Sequence, residues 1–151
     1  MGLIRLQRTA MPSGSVIQTV TKETTSQETV QSVTATDTAL TLSITPTKSN
    51  SKIFVLASFN AGSSNSADAC FLSLFRGSTK LTAQGGTFGA AAAAYGSSCL
   101  SVLDSPNTTS AMTYTVKLNG NNGTHDVYLN TNYGGTSPDE KGHLTLMEIA
   151  G

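Results

Sequence analysis

Two histidines and two cysteines are the side chains in this sequence that could bind a transition metal. His125 and His143 lie at or near predicted strand starts, on polar flanks, and no CxxC or HxxxH spacing is present. Because a zinc site needs three or four ligands at a workable spacing, we predict ordinary surface histidines, no metal site and no cofactor. Cys70 and Cys99 each adjoin apolar residues, which favours two buried thiols, with a disulfide as the open alternative.

The acidic residues form no recognisable catalytic pair. Residues 139–141, Asp-Glu-Lys, share one loop, a pattern typical of a solvated charge cluster. Asp104 precedes Ser105-Pro106, where hydrogen bonding within a turn accounts for it. No serine stands in a nucleophile elbow and no glycine-rich loop opens a helix. We therefore predict that the protein is not an enzyme; a hydrolase of surface polysaccharide would need a carboxylate pair that is not visible.

The last eight residues of the chain form a β-type run that is apolar on both faces. Leu144 and Leu146 would point to one face of a strand, and Thr145, Met147 and Ile149 to the other. Such a strand is a poor exposed edge, because edges of this kind pair or aggregate. We expect it inside a sheet or against another copy of the chain, with Leu144, Leu146, Met147 and Ile149 in the core or in a trimer contact.

Glu148 is an acid within this apolar run, in phase with Leu144 and Leu146. One interpretation is that Glu148 emerges into water at the end of the sheet. The other is that an arginine or lysine pairs with it across a subunit contact, because an unpaired buried carboxylate is too costly.

Strand signals recur at short intervals from Ser15 onward, and no long helix is predicted. Three longer loops, 60–69, 84–98 and 131–142, are predicted between the strands, and Gly77 marks a tight hairpin turn. The class is therefore all-β, and the spacing fits an antiparallel sandwich of jelly-roll type. The predicted strands cover 16–20, 29–34, 40–45, 53–59, 70–75, a return from 80, 99–103, 112–118, 125–130 and 143–150.

Composition and charge limit the possible functions. Charged residues make up 12% of the 151 residues and the net charge is zero, against about 25% charged in ordinary domains. This argues against a nucleic-acid binder, which carries a basic face. The sequence has neither a run of about 18 apolar residues nor a signal peptide, so we expect no membrane association and synthesis in the cytoplasm of the cell that makes it.

The chain divides into a short arm and one domain. Pro12, Ser13 and Gly14 mark the boundary after residues 1–13. Residues 14–151 are long enough for one β-sandwich with its own core. The arm is either a frayed terminus or a segment that orders by docking onto a partner. In the second case the docking residues are Leu3, Ile4, Arg5, Leu6 and Arg8.

Several segments together resemble a module of tailed-phage virion proteins, found in phages of aquatic bacteria including cyanophages. The resemblance covers residues 14–150 and implies a trimeric jelly roll shaped like the tumour-necrosis-factor-like and complement-type globular heads, with a terminal strand near the three-fold axis. It implies no catalytic residues. The segments are Gly14-Ser-Val-Ile-Gln18, Leu42-Ser-Ile-Thr-Pro46, Ser51-Lys-Ile-Phe-Val55, Phe75-Arg-Gly-Ser-Thr79, Leu103-Asp-Ser-Pro-Asn-Thr-Thr109 with Tyr114, and Leu144-Thr-Leu-Met-Glu-Ile149.

Two functions are compatible with this resemblance. Because only thirteen residues precede the module, with no shaft, we expect a trimeric cement or decoration protein that stabilises the capsid, with the major capsid protein or another virion protein as its partner. The alternative is a receptor-binding head or small component of a phage tail or tail fibre. Loops 60–69, 84–98 and 131–142 would then contact a host surface glycan, since serine, asparagine, glycine and tyrosine suit adaptable hydrogen bonding.

Overall fold

The computed structural model describes residues 11–65, 69–86, 94–131 and 140–151, and places side chains for all of these except 84–86 and 94–95. Regular structure within these ranges consists entirely of β-strands, which confirms the all-β prediction. No helix in the described part of the chain is long and apolar enough to cross a membrane. The strands are β1 (Val16–Thr24), β2 (Glu28–Val30), β3 (Thr36–Ile44), β4 (Lys52–Ser63), β5 (Cys70–Arg76), β6 (Thr79–Gly86), β7 (Ala94–Asp104), β8 (Met112–Gly120), β9 (Val127–Leu129) and β10 (Gly142–Ile149).

The strands form two antiparallel sheets that pack face to face as a sandwich. The small sheet has the order β3-β8-β5-β6. The large sheet has the order β1-β10-β4-β9-β2, and β7 also pairs with β4. Strand β4 organises the large sheet, because β7 runs along one of its edges while β10 and then β9 occupy the other. The last strand of the chain, β10, therefore lies between β1 and β4 and is not an edge.

The hydrophobic core lies between the sheets and follows the two-residue period of the strands. In β4 every second residue, from Ile53 to Ala61, is buried, and Leu144 and Leu146 of β10 are fully buried beside them. The small sheet contributes Leu72, Leu74, Val116 and Leu118 to the same cluster. Burying each large aliphatic side chain stabilises the fold by about 1.5–3 kcal/mol, so this layer determines which face of each strand turns inward.

Two of the predicted loops are shorter in the structure. Residues 60–63 belong to β4 and residues 94–98 to β7, because the two strands pair without interruption from Ile53–Asp104 to Ser63–Ala94. Main-chain pairing to a neighbouring strand supports small and polar residues that look like a loop in the sequence. The remaining parts of the three loops include residues 66–68, 87–93 and 132–139, which lie outside the described residues.

The hairpin turn between β5 and β6 is confirmed. Gly77 adopts a φ of 54°, a left-handed conformation that glycine reaches without steric cost. Its N–H donates to the Thr113 carbonyl at 2.9 Å, which ties the turn to β8.

Candidate functional site

The outer face of the large sheet, which points away from the core, carries an apolar row across three strands. The register places Met147 of β10 beside Phe54 of β4, and Phe54 beside Leu103 of β7. Leu103 is 51% exposed, whereas Phe54 and Met147 are half-buried. We call these three residues the outer row.

Further apolar residues extend the outer row along the strands. Ile149 of β10 pairs with Val16 of β1, which is 48% exposed, and Leu56 of β4 lies beside Thr145. The rows through Met147 and Thr145 contain no charged residue; Lys52 lies beside Ile149 in the row at one end, and His143 lies beyond the other end. A contiguous uncharged apolar patch on a sheet face is typical of a protein–protein contact.

Sequence reasoning identified only part of this patch. Met147 and Ile149 were predicted as core or trimer contacts, and they are half-buried on the outer face, whereas Leu144 and Leu146 lie in the core. Phe54 and Leu56 fall within the predicted strand 53–59 but were not singled out. Leu103 was missed, because a single leucine at the end of a strand gives no signal until the register places it beside Phe54.

The side chain of Glu148 anchors β10, the strand that carries Met147 and Ile149, through hydrogen bonds on its core side. Its side chain is fully buried on the core side of β10, in phase with Leu144 and Leu146. Oε1 accepts hydrogen bonds from the Thr47 N–H at 2.7 Å and the Thr47 hydroxyl at 2.8 Å. Oε2 accepts one from Gln18 Nε2 at 2.7 Å, and the same nitrogen donates to the Thr45 carbonyl. Glu148 therefore joins β10 to β1 and to the β3–β4 connection.

Neither sequence interpretation of Glu148 is correct. The carboxylate does not emerge into water, and the partners that contact it in the described part of the chain are neutral donors of the same chain. Burial acts to raise the pKa of Glu148, but the polar groups around it, the Ser51 hydroxyl and the hydrogen-bond donors of Thr47 and Gln18, outweigh burial and hold the pKa below its ordinary value. The group is thus an ionised, fully buried acid stabilised by neutral dipoles.

A second polar cluster connects the two sheets. Asp104, at the end of β7, accepts hydrogen bonds from Arg76 Nη1 at 2.7 and 2.8 Å and from the Tyr114 hydroxyl at 2.7 Å. Burial, and then the Asp104 carboxylate, raises the pKa of the buried Tyr114 hydroxyl, so Tyr114 serves as a neutral donor. The prediction that hydrogen bonding within a turn accounts for Asp104 is wrong, because its partners come from β5 and β8 of the opposite sheet.

An open cleft lies beside this cluster, between the β5–β6 turn and the β7–β8 connection. Its walls include the apolar side chains of Pro106 and Met112 and the polar side chains of Arg76, Thr108 and Thr113. Because Asp104 pairs with Arg76, the charge of the guanidinium at the cleft is neutralised. The other polar groups of the cleft are the hydroxyls of Thr108 and Thr113. This chemistry suits a neutral polar ligand better than an acid–base reaction.

The side chains that could bind a metal are separate from one another. His125 bonds to Asn65 and Thr124, and His143 lies 3.8 Å from Glu23. Within the described ranges no group of three histidine, cysteine or acidic side chains could hold a metal ion. Neither cysteine forms a disulfide in the structure; Cys70 is buried as predicted, but the prediction for Cys99 is wrong, because it is exposed on the outer face of β7.

The predicted docking arm lies mostly outside the described residues, including Leu3, Ile4, Arg5, Leu6 and Arg8. The described chain enters the fold at Gly14, whose N–H donates to the Ala150 carbonyl, while the Ala150 N–H donates to Ser15. The arm therefore joins the domain next to the end of β10.

The chain is an antiparallel β-sandwich with an apolar patch on the outer face of its large sheet. No family model matches the chain. No curated protein shows significant similarity to it either.

Proposed function

We propose that this protein is a non-enzymatic virion structural protein that assembles as a homotrimer through the outer face of its large sheet. The observation that carries the proposal is the position of β10. It lies inside the large sheet and presents Leu144 and Leu146 to the core and Met147 and Ile149 to the outer face. A face that is apolar at its centre and polar at its rim gains free energy on self-association, about 25 cal/mol per Å² of apolar area removed from water before association costs.

The strand order supports the jelly-roll part of this proposal. Eight of the strands fall into two sets of four, β1-β10-β4-β7 and β3-β8-β5-β6. Successive strands mostly alternate between the two sheets, as in the eight-stranded, double Greek-key arrangement of jelly rolls. Strands β2 and β9 then extend the large sheet beside β4.

The mass of the protein in solution tests the trimer. We expect a multiple of three 15.6 kDa chains, measured by light scattering after size exclusion. Met147→Glu places a charge at the centre of the outer row and should reduce the mass to one third of the wild-type value without loss of β-structure. Ser43→Glu, at an exposed position on the outer face of the small sheet, is the matched control and should leave the mass unchanged. If the Met147→Glu variant has the same mass in solution as the wild-type protein, assembly through this face is contradicted.

We further propose that the trimer is a cement or decoration protein on the capsid. The sequence of the arm supports this, because the apolar residues Leu3, Ile4 and Leu6 together with two arginines suit docking onto another protein surface. Many copies, each adding apolar contact between capsid subunits, would resist the pressure of the packaged genome. The decisive measurement is the copy number relative to the major capsid protein in purified particles, where a simple fraction of one is expected.

The cleft beside Arg76 favours a second candidate, a receptor-binding head of the tail. Its arginine, threonines and apolar wall could bind a host surface glycan. A few tens of copies per particle, together with binding of the isolated protein to host cells, would select this function instead.

A further inference from the structure

Strand β7 is an edge of the large sheet that lacks the usual protection. It is eleven residues long, and in the described part of the chain it pairs only with β4. The β4–β7 register runs from end to end without a bulge. Residues 96–103, Gly-Ser-Ser-Cys-Leu-Ser-Val-Leu, contain neither a charge nor a proline. A long, regular and uncharged edge presents unpaired N–H and C=O groups that another strand can complete.

The other edge strands in the described ranges are each protected. Strand β1 carries Lys22 and Glu23 and has a register shift at its start. Strand β3 carries Asp37, which is followed by a register shift, and β6 carries Lys80 as its second residue, beside another register shift. Strand β2 has three residues and includes Glu28. Charges, bulges and short length are the means by which proteins prevent strand pairing at edges, so their absence from residues 96–103 sets β7 apart.

We propose that β7 pairs antiparallel with β7 of a second copy of this chain, joining two large sheets into one continuous sheet. A two-fold contact pairs each residue of the strand with a residue of the same strand in the other copy, so it is favoured by a strand without like charges, and residues 96–103 meet that condition. The outward side chains Ser97, Cys99 and Ser101 are small and exposed, which keeps this face of the junction open.

Charge argues against the N-terminal arm as the strand that covers this edge. Residues 1–8 bring two arginines and no acid. The carboxylate at the end of β7, Asp104, is already bound by Arg76 and Tyr114, so it offers the arm no free counter-charge. Residues 96–103 of a second β7 strand carry no charge, so their pairing requires no counter-charge.

This two-fold contact uses the main-chain edge of β7, whereas the outer row, which shares Leu103 with β7, uses a face of the sheet, so the contact does not rest on the trimer proposal. If both contacts form, β7 pairing links one trimer to the next, which would allow side-by-side contact between neighbouring copies on a particle. If the trimer fails, β7 pairing still predicts a dimer.

The test uses Met147→Glu as the background, so that association through the outer row is removed. In sedimentation equilibrium over a concentration series, we expect this variant to reach twice the mass of one chain. Adding Ser101→Lys puts a charge on the exposed edge of β7 and should raise the dissociation constant at least tenfold. Adding Ser43→Lys, the same change at an exposed position of the β3 edge, should not alter it. Circular dichroism checks that all variants fold.

Cys99 gives an independent measurement, because it is exposed on β7 while Cys70 is buried. A short bismaleimide cross-linker should join two chains through Cys99 in the Met147→Glu background, and Ser101→Lys should abolish the cross-linked product. A Met147→Glu protein that stays monomeric at every concentration, or that dimerises equally well with Ser101→Lys, overturns the proposal. Disappearance of the dimer on deletion of residues 1–10 would identify the arm as the pairing strand and would also overturn it.

Discussion

Replacing Glu148 by glutamine should destabilise the protein at neutral pH, although the two side chains have nearly the same shape. The amide oxygen can still accept both hydrogen bonds from Thr47, but the amide nitrogen then faces Gln18 Nε2, which is also a donor. Gln18 cannot turn its oxygen toward position 148 without losing its bond to the Thr45 carbonyl. The Glu148→Gln variant therefore loses the hydrogen bond from Gln18, and the two hydrogen bonds from Thr47 no longer have a charged acceptor. The variant also avoids the cost of burying a charge.

The net effect is a loss of about 2 kcal/mol in the free energy of unfolding, since hydrogen bonds to charged groups contribute about 1.5–3 kcal/mol and neutral ones about 1. For a chain of this length that loss lowers the Tm by about 4–8 °C. Urea unfolding at one fixed protein concentration measures it, because association would otherwise change the apparent stability.

The difference should also depend on pH with a defined sign. The pKa of Glu148 is lower in the folded chain than the reference value of 4.5, so its ionised form stabilises the fold above that value. This stabilisation disappears as the pH falls through the folded-state pKa, because the protonated Glu148 carboxyl and the glutamine amide of the variant then offer similar groups. The gap between wild type and Glu148→Gln should therefore shrink on acidification below 4.5.

Glu28→Gln is the control, because Glu28 is a half-buried acid that accepts the Ala39 N–H at 2.7 Å and a glutamine oxygen can replace it. Burial raises the pKa of Glu28, so its ionised form is disfavoured in the fold and the substitution should not destabilise the protein at neutral pH. Equal stability of wild type and Glu148→Gln at neutral pH, or a gap that persists unchanged in acid, would refute the reasoning.

Three further predictions concern other parts of the chain. Asp104→Ala should cost about 3–5 kcal/mol in urea unfolding because it leaves a half-buried guanidinium without its acceptor, and adding Arg76→Met should recover part of that loss. Gly142→Ala should cost about 1–3 kcal/mol, since a Cβ there would lie 2.7 Å from Asn130 Oδ1, and a thermal melt as stable as wild type would contradict the packing. Deleting residues 1–13 should leave a folded trimer that no longer binds capsids in a co-sedimentation assay; full binding would disprove the role of the arm.

Local patterns were sufficient for the strands because each strand carries its own two-residue period. Leu144 and Leu146 were placed on one face of a strand from alternation alone and both are fully buried, and Gly77 marked its turn because few other residues adopt its backbone angle. Strand lengths were less accurate. Residues 60–63 and 94–98 look like loop segments in the sequence, and they are strands because β4 and β7 supply each other's hydrogen bonds.

What the sequence by itself determined is therefore the all-β class, most strand positions and the two apolar faces of β10, all of which depend on neighbours along the chain. Only the tertiary structure decided where Glu148, Asp104 and Leu103 belong. Glu148 is buried because donors at positions 18 and 47 converge on it, Asp104 is a bridge because the sheets bring Arg76 and Tyr114 together, and Leu103 joins the outer row through strand register. Each depends on contacts between residues distant in sequence, and the energy of a buried polar or apolar group is set by such contacts.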